Sequence, residues 1–419
     1  MSERPSVCVV GLGYIGLPTA AMLAAAGYQV TGIDVNRHVV ETVSAGGIHI
    51  SEPGLAEVVA GAVQSGRLQA GSAPVPVDVF IICVPTPFSD HGEIRTPDIS
   101  YVQAAARSLS GVVAPGNLMV IESTCPVGTT ELIRDELAAA GLPMDEIRVA
   151  YCPERVIPGR ILMELFSNDR IVGGVDPAST AAAESFYRGF VTGSVFTTTS
   201  RTAEMVKLVE NSYRDVNIAF ANEVSILSDH LEIDPWEVIA LANRHPRVQI
   251  LEPGPGVGGH CIAVDPWFIV ARDPEAARLI RVAREVNDAK TEWVIAHVRA
   301  AASDLEGALG RRVRVACLGL AYKPDVDDLR ESPAVRVAEA LSDAGIEVLV
   351  CEPNLETHPR FELRDCQEAV DLADLVVVLV RHRQFAGLSF GDKPMIDTCG
   401  LTARRPRHRR QQSASTVWS

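Results

Sequence analysis

No stretch of the 419-residue chain is apolar for the length a bilayer demands, and its opening Met-Ser-Glu-Arg-Pro lacks the layout of a secretory leader. No membrane partner is expected, and the expected setting is cytoplasmic. The 9 cysteines are scattered singly without one C-x-x-C pair, so neither a zinc site nor a disulfide framework is suggested, and no metal is expected. Positive charge is in deficit as well. A formal charge of −15 at pH 7 speaks against generic nucleic-acid affinity, so an anionic ligand must be held by local cations. The exception is residues 404–419, beginning Arg404-Arg-Pro-Arg-His-Arg-Arg, a basic end that reads as solvated and disordered.

Glycine, by contrast, is concentrated where it informs. In Pro253-Gly-Pro-Gly-Val-Gly-Gly259, 4 of 7 residues are glycine, and the loop leads directly into His260, Cys261 and, four residues on, Asp265. Such a backbone can take positive φ and lie close against a ligand. A helical turn over Cys-Ile-Ala-Val-Asp would set Cys261 and Asp265 on one face. The bland alternative is a buried, inert cysteine; the sharper one is a thiol available for covalent chemistry.

At the N-terminus, the apolar run from Ser6 enters Gly11, Gly13 and Gly16, with Tyr14 and Ile15 between the last two. An alanine-rich helical stretch, Leu17 to Ala26, follows, and then a second strand-like run ending in Asp34. Strand, glycine turn, helix and strand in that order form the setting in which a G-x-G-x-x-G motif binds a dinucleotide. Gly11 permits the tight turn, Gly13 lets the backbone approach a pyrophosphate, and Gly16 lets the helix pack on the strand. The helix N-terminus offers N–H groups to the anion. Asp34 stands where a carboxylate accepts hydrogen bonds from a ribose diol and repels a 2′-phosphate, so NAD is expected rather than NADP. Arg37 is a candidate to lie over the adenine.

Strand-like runs at Val77–Val84, Asn117–Thr124, Ile147–Tyr151 and Arg170–Gly174 predict a mostly parallel sheet. Ligands of such sheets sit at the carboxyl ends of strands. Thr86 and Thr124 lie at two such ends and are candidates for the cofactor's edge. Cys125 is a rival thiol, ranked as a wall residue because it lacks a glycine loop and a paired carboxylate. From Thr202 to Glu232 the spacing of Met205, Leu208, Val209, Ser212 and Val216 predicts one long helix. Lys207, Asn211 and Arg214 form a polar stripe on it that, taken alone, reads as a solvated face. Glu275–Leu305 predicts another helix. A further strand ends in Gly319 and opens a loop with Tyr322, Lys323 and Arg330, and more strands follow at 347–351, 375–380 and 395–397. The fold class is therefore α/β: two Rossmann-like doubly wound domains joined by a central helical region with a long spanning helix. The expected boundaries are 1–195, 196–306 and 307–403, with one nucleotide site for NAD and another for a nucleotide-bearing substrate.

Gly11-Leu-Gly-Tyr-Ile-Gly-Leu-Pro18, Tyr151-Cys-Pro-Glu-Arg155, Lys207 with Asn211, Gly256-Val-Gly-Gly-His-Cys-Ile-Ala-Val-Asp-Pro266 and Gly319-Leu-Ala-Tyr-Lys-Pro324 together resemble the UDP-glucose/GDP-mannose dehydrogenase family over residues 6 to about 400. Within it, Arg201-Thr-Ala-Glu-Met205, Asn243-Arg-His-Pro-Arg247 and Asp265-Pro-Trp-Phe-Ile-Val270 look most like bacterial members acting on UDP-N-acetyl-D-mannosamine; UDP-N-acetylglucosamine and UDP-glucose are the near rivals. A two-electron dehydrogenase and a silent nucleotide-sugar binder are more distant readings.

The resemblance implies oxidation of a UDP-sugar C6 alcohol to a carboxylate with two NAD per turnover. Cys261 would form the thiohemiacetal and thioester. Glu154 would activate water, aided by Thr124 and Asp265, and Lys207 and Asn211 would stabilise the oxyanion. The resemblance further implies substrate contacts from Arg155, Val156, Lys207, Asn211, Arg214, His245, Arg247, Gly258, Tyr322 and Lys323, and NAD-diphosphate contact from Arg330. A homodimer is expected through the central helical region.

Overall fold

The computed structural model describes residues 4–89, 95–157 and 159–403; the basic end expected at 404–419 lies outside them. The chain forms two compact units, one comprising the chain up to Glu210 with Trp267–Ala276, the other Asn211–Pro266 with the chain from Ala277 onward.

The first unit is built on strands β1 (Val7–Val10), β2 (Val30–Ile33), β3 (Leu68–Gly71), β4 (Val79–Ile82), β7 (Leu118–Ile121), β8 (Arg148–Tyr151), β9 (Arg170–Gly174) and β10 (Val195–Thr199), with a small hairpin of β5 (Phe88–Ser89) and β6 (Thr96–Pro97). The eight-stranded sheet has the order β10-β9-β8-β7-β4-β1-β2-β3. β1, β4 and β7 are buried along their whole length. Strands covered on both faces by helices read as continuous apolar runs, which is why these were legible. Their starts fall later than the sequence suggests because Asp78 accepts from the Ser6 N–H and Asn117 accepts from the Ala114 N–H, committing both residues to entering turns.

Two edge strands, β3 and β10, were not expected. Each exposes part of its length to solvent and so lacks an apolar run. The sheet is parallel except between β8 and β9, which pair antiparallel, so β9 and β10 run against the rest.

The long helix spans Ser200–His230, and a second spans Arg278–Leu309. The first stops where Glu232 takes a left-handed φ of 56° and the Ile233 N–H returns to the Ser228 carbonyl. Leu208 and Ser212 are buried as the spacing predicts, but Met205 and Val209 are exposed.

The second unit carries β11 (Arg314–Leu318), β12 (Glu347–Cys351), β13 (Leu375–Val378) and β14 (Met395–Asp397) in a parallel sheet ordered β12-β11-β13-β14. One cysteine expectation is corrected here. Cys351, at the end of β12, and Cys366, opening the Cys366–Leu372 helix, form a disulfide with their Cα atoms 5.2 Å apart. Parallel-sheet topology, rather than any local spacing, brings them together. No helix among the described residues is long and apolar enough to cross a membrane.

Candidate active site

In the first unit the glycine turn is built as a dinucleotide cradle. Gly11 has φ +90°, and a β-carbon there would lie 2.5 Å from the Cys83 carbonyl oxygen. A β-carbon on Gly16 would run into the Gly11 carbonyl, whereas Gly13 has no atom within 4 Å of that position and leaves the backbone open to a ligand. The Gly16–Ala25 helix has no side-chain cap and no acid in its first turn, which suits a pyrophosphate. Tyr14 is exposed beside it, and Ile15 is the residue preceding the helix. Asp34 closes β2 and is fixed by the turns around it: Oδ2 accepts from the Leu12 N–H at 2.9 Å and Oδ1 from the Asn36 N–H at 2.8 Å. The residues present thus fit NAD. Arg37 is exposed and pairs with Glu41 at 2.7 Å instead of reaching toward the turn.

Thr86 and Thr124 are half-buried in the loops that follow β4 and β7, at the carboxyl edge of the sheet. Beneath that edge the Tyr187 hydroxyl donates to Glu122 Oε1 at 2.6 Å, and Cys83 Sγ lies 3.5 Å from Glu122 Oε2. Burial and the Glu122 charge push the Cys83 thiol well above its ordinary value. Cys125 is fully buried. The loop after β7 is pinned by a residue sequence reasoning missed, Glu204, which accepts from the Gly128 N–H at 2.6 Å and from the Thr130 N–H and hydroxyl at 2.8 and 2.6 Å.

Glu154 follows β8 and is buried, with Oε1 lacking a hydrogen-bond partner among the described residues. Burial pushes its carboxyl above the ordinary value, partly opposed by the Lys207 ammonium. Lys207 Nζ donates to the Glu154 carbonyl oxygen at 2.8 Å. It is one of only four lysines in the chain, with Lys290, Lys323 and Lys393. Arg155 pairs with Glu210 at 2.7 Å and donates to the Asp169 carbonyl; Val156 beside it is half-buried. The polar stripe is therefore not a solvated face. Lys207 and Asn211 are half-buried and bonded, and only Arg214 of the three is exposed.

In the second unit Cys261 is exposed. Its carbonyl accepts from the Val264 and Asp265 N–H groups at 3.0 and 2.8 Å, the helical turn expected between Cys261 and Asp265. Asp265 is buried, opens the Asp265–Arg272 helix, and accepts from Asn211 Nδ2 at 2.5 Å. The glycine loop before Cys261 lies on the segment after β11. A β-carbon on Gly258 would fall 2.5 Å from the Glu331 carbonyl oxygen, and one on Gly259, whose φ is +84°, would fall 2.7 Å from the Tyr322 ring. The Gly259 N–H donates to the Arg330 carbonyl at 2.9 Å. The Arg330 guanidinium pairs with Asp328 at 2.6 Å, and Lys323 Nζ sits 5.5 Å from the Tyr322 ring centroid. The structure thus gathers Cys261, Gly258, Tyr322 and Arg330. His245 and Arg247 are exposed in a turn that Asn243 closes by bonding both backbone groups of Ile250.

The carboxylate that follows the second strand accepts from its own turn's N–H groups in both units, but only in the second is it buried against a histidine. Glu352, placed after β12 as Asp34 is after β2, is buried and accepts from the Leu320 and Ala321 N–H groups at 2.7 and 3.0 Å, with His382 at 2.9 Å.

Residues 5–191 match the NAD binding domain of the UDP-glucose/GDP-mannose dehydrogenase family, 201–289 its central domain and 316–403 its UDP binding domain. The chain belongs to that family. As a member it is an NAD-dependent dehydrogenase. A Yersinia pestis relative named UDP-N-acetyl-D-mannosamine dehydrogenase is 50% identical over 94% of this chain and 99% of its own length. A Ralstonia nicotianae relative named NDP-N-acetyl-D-galactosaminuronic acid dehydrogenase is 49% identical over 94% of this chain and 96% of its own. The solved structure of a UDP-D-ManNAc dehydrogenase from Pyrococcus horikoshii superposes with a TM-score of 0.87 at 38% identity, covering 96% of each chain.

Proposed function

We propose that this family member oxidises the C6 alcohol of UDP-N-acetyl-D-mannosamine to the carboxylate, reducing two NAD per sugar through a thiohemiacetal and a thioester on Cys261. The observation that carries the reading is an exposed thiol in the turn leading into a helix, in a chain that also holds a dinucleotide cradle. A two-electron dehydrogenase has no use for that thiol. The names borne by relatives at about half identity support the sugar.

When bound, NAD supplies the hydride acceptor. The chain's own groups do the rest. The alcohol gives up its proton to a base, and the aldehyde left by the first oxidation would be captured by the Cys261 sulfur before it can escape. The resulting thiohemiacetal surrenders the second hydride and becomes a thioester. Water adds to that thioester, the C–S bond breaks, and the carboxylate leaves with the thiol restored. Glu154 is the base proposed for the water, with Thr124 placing it and Asp265 assisting. Lys207 and Asn211 are the donors proposed for the oxyanion. Each has a partner that limits its side chain's freedom, Lys207 the Glu154 carbonyl and Asn211 the Asp265 carboxylate.

For the UDP moiety the proposed contacts are Arg155, Val156, Arg214, His245, Arg247, Gly258, Tyr322 and Lys323, with Arg suited to bidentate phosphate binding and Lys to a point contact. Tyr213, Phe220 and Leu227 form an exposed apolar row on one face of the Ser200–His230 helix, extended by the exposed Leu231 just past its end, and support a homodimer built through it.

The Ralstonia relative favours a second reading, a substrate of galacto configuration. Counting NADH per sugar consumed, with UDP-N-acetylmannosamine, UDP-N-acetylgalactosamine, UDP-N-acetylglucosamine and UDP-glucose in parallel, separates the two. Two NADH with the first sugar alone is expected. Two with another sugar moves the substrate and keeps the chemistry, whereas one NADH per sugar overturns the covalent mechanism.

A further inference from the structure

Cys261 can meet a substrate carbon only if the glycine loop before it has one resting position, and glycine by itself supplies none. Where the loop's backbone groups are tied down therefore decides how it works. At its far end the Gly259 N–H is held by the Arg330 carbonyl. At its near end the Gly254 N–H donates to a side chain, Asn222 Oδ1, at 2.9 Å.

Asn222 lies on the Ser200–His230 helix and is fully buried. Its Nδ2 donates to Asn287 Oδ1 at 2.9 Å across the interface with the Arg278–Leu309 helix. Asn287, also fully buried, donates its own Nδ2 to Asp215 Oδ1 at 2.8 Å and to the Asp215 carbonyl at 3.1 Å. Asp215 Oδ1 in turn receives Arg284 Nη1 at 2.7 Å, and both of these side chains are wholly inaccessible to solvent.

The polarity of this chain runs one way. Arg284 can only donate and the Asp215 carboxylate can only accept. Asn287 must therefore turn its amide nitrogen toward Asp215 and its oxygen toward Asn222. Asn222 is obliged to do the same, which leaves its oxygen facing Gly254. A flipped amide at either asparagine would set nitrogen against nitrogen or oxygen against oxygen in a buried site, where unpaired polar groups are costly. The charge pair at one end thus fixes a hydrogen-bond acceptor at the other.

We propose that Asn222 is the positioning residue of the Cys261 loop, and that Arg284, Asp215 and Asn287 act through it by locking its amide in the one orientation that holds Gly254. The inference rests on the reading of Cys261 as the nucleophile, but its consequence for the thiol can be measured without any sugar.

The test uses the full-length Asn222→Ala, Asn287→Ala and double variants, with Val294→Ala, an apolar truncation in the same helical region, as a control for lost stability. Iodoacetamide labelling of Cys261, followed by peptide mass mapping, reports the loop directly. The expected result is a change of about tenfold or more in Cys261 labelling rate for Asn222→Ala, and a fall of about 100-fold in kcat with KM moving far less, as for a nucleophile displaced by an ångström. NAD affinity is expected to be unchanged. The double variant is expected to be no worse than Asn222→Ala alone, because both substitutions break the same chain. Should Asn222→Ala not fold, Asn287→Ala carries the same comparison with the loop's immediate partner intact. Labelling that matches Val294→Ala at equal thermal stability, or losses that add in the double variant, overturns the proposal. If the parent protein oxidises none of the sugars, the labelling comparison still stands and the failure belongs to the proposed function.

Discussion

The Lys207 ammonium donates to the backbone carbonyl of Glu154 at 2.8 Å, while the Glu154 carboxyl beyond that carbonyl is buried with Oε1 unpartnered among the described residues. One residue thus fixes the lysine with its main chain and keeps its side chain in reserve. A buried carboxyl oxygen that the fold leaves without a partner is held at a cost in stability, and a catalytic role is one explanation for such a group.

The first prediction concerns pH. Burial raises the Glu154 carboxyl above its ordinary value of 4.5, so the folded protein keeps that proton to higher pH than the unfolded chain does. The stability contributed by this group is therefore present at low pH and is lost as pH rises from about 4.5 through the raised folded value. A base must be ionised to work, so kcat should climb as pH rises through the raised folded value. Lys207→Met removes the cation that opposes the shift and should move the climb to still higher pH, with kcat lower by roughly 100- to 1000-fold if an oxyanion donor is lost. Glu154→Gln should abolish the climb. A pH profile unchanged in Glu154→Gln would remove Glu154 from the mechanism.

Cys261→Ser should stop turnover after the second oxidation, at hydrolysis, since an oxygen ester is hydrolysed far less readily than a thioester. NAD binding should survive, because the cradle lies in the other compact unit. Mass spectrometry of the variant incubated with substrate checks for the trapped adduct, and normal turnover would rule out the covalent route.

For Asp34→Ala the loss is twofold: the ribose acceptor disappears, and so does the bond that holds the Leu12 N–H. Hydrogen bonds to a charged group contribute about 1.5–3 kcal/mol, so NAD should bind roughly 10- to 100-fold more weakly, without a gain in NADP affinity. Calorimetric titration with both cofactors measures this directly. Equal use of the two cofactors by the parent protein contradicts the role given to Asp34.

Lys290 offers a stability test away from the proposed chemistry. It is buried, donates to Ser225 at 2.8 Å and lies 4.0 Å from the Trp293 ring centroid, and burial lowers its pKa to about 8. Between that value and its ordinary 10.5 the unfolded chain holds a proton that the folded protein does not, so stability should rise with pH across this window by about 3 kcal/mol. Lys290→Met should remove the rise, as judged by urea unfolding at a series of pH values.

Phe220→Glu places a charge in the middle of the exposed apolar row on the Ser200–His230 helix. Light scattering should show the assembly halved in mass while the far-ultraviolet circular dichroism is kept. A parent protein that is already monomeric removes the proposed dimer.

Much of the fold was legible because β1, β4 and β7 are buried on both faces and had to be written as apolar runs. β3 and β10 escaped because an edge strand need not be apolar throughout. Within the proposed site, the glycine loop, Cys261 and Asp34 announced themselves by residue type and position. Glu204 and Asn222 did not. Each is an ordinary polar residue inside a helical repeat, and the only trace was that Asp215, Asn222 and Ser225 recur on one face of the Ser200–His230 helix, where apolar residues would be expected.

By itself, then, the sequence determined the two nucleotide-binding folds, the dinucleotide turn and the thiol in its glycine loop, since backbone permissiveness and burial periodicity are set over a few neighbouring residues. Tertiary structure decided which polar groups became partners. It buries Glu352 against His382 while leaving Asp34 half-buried at the dinucleotide turn, and it joins Asn222 to Gly254 across 32 residues and to Asn287 across 65. Hydrogen bonds form only within about 3 Å and in the right direction, so their pairing is fixed by the packing of distant segments and leaves no local mark on the chain.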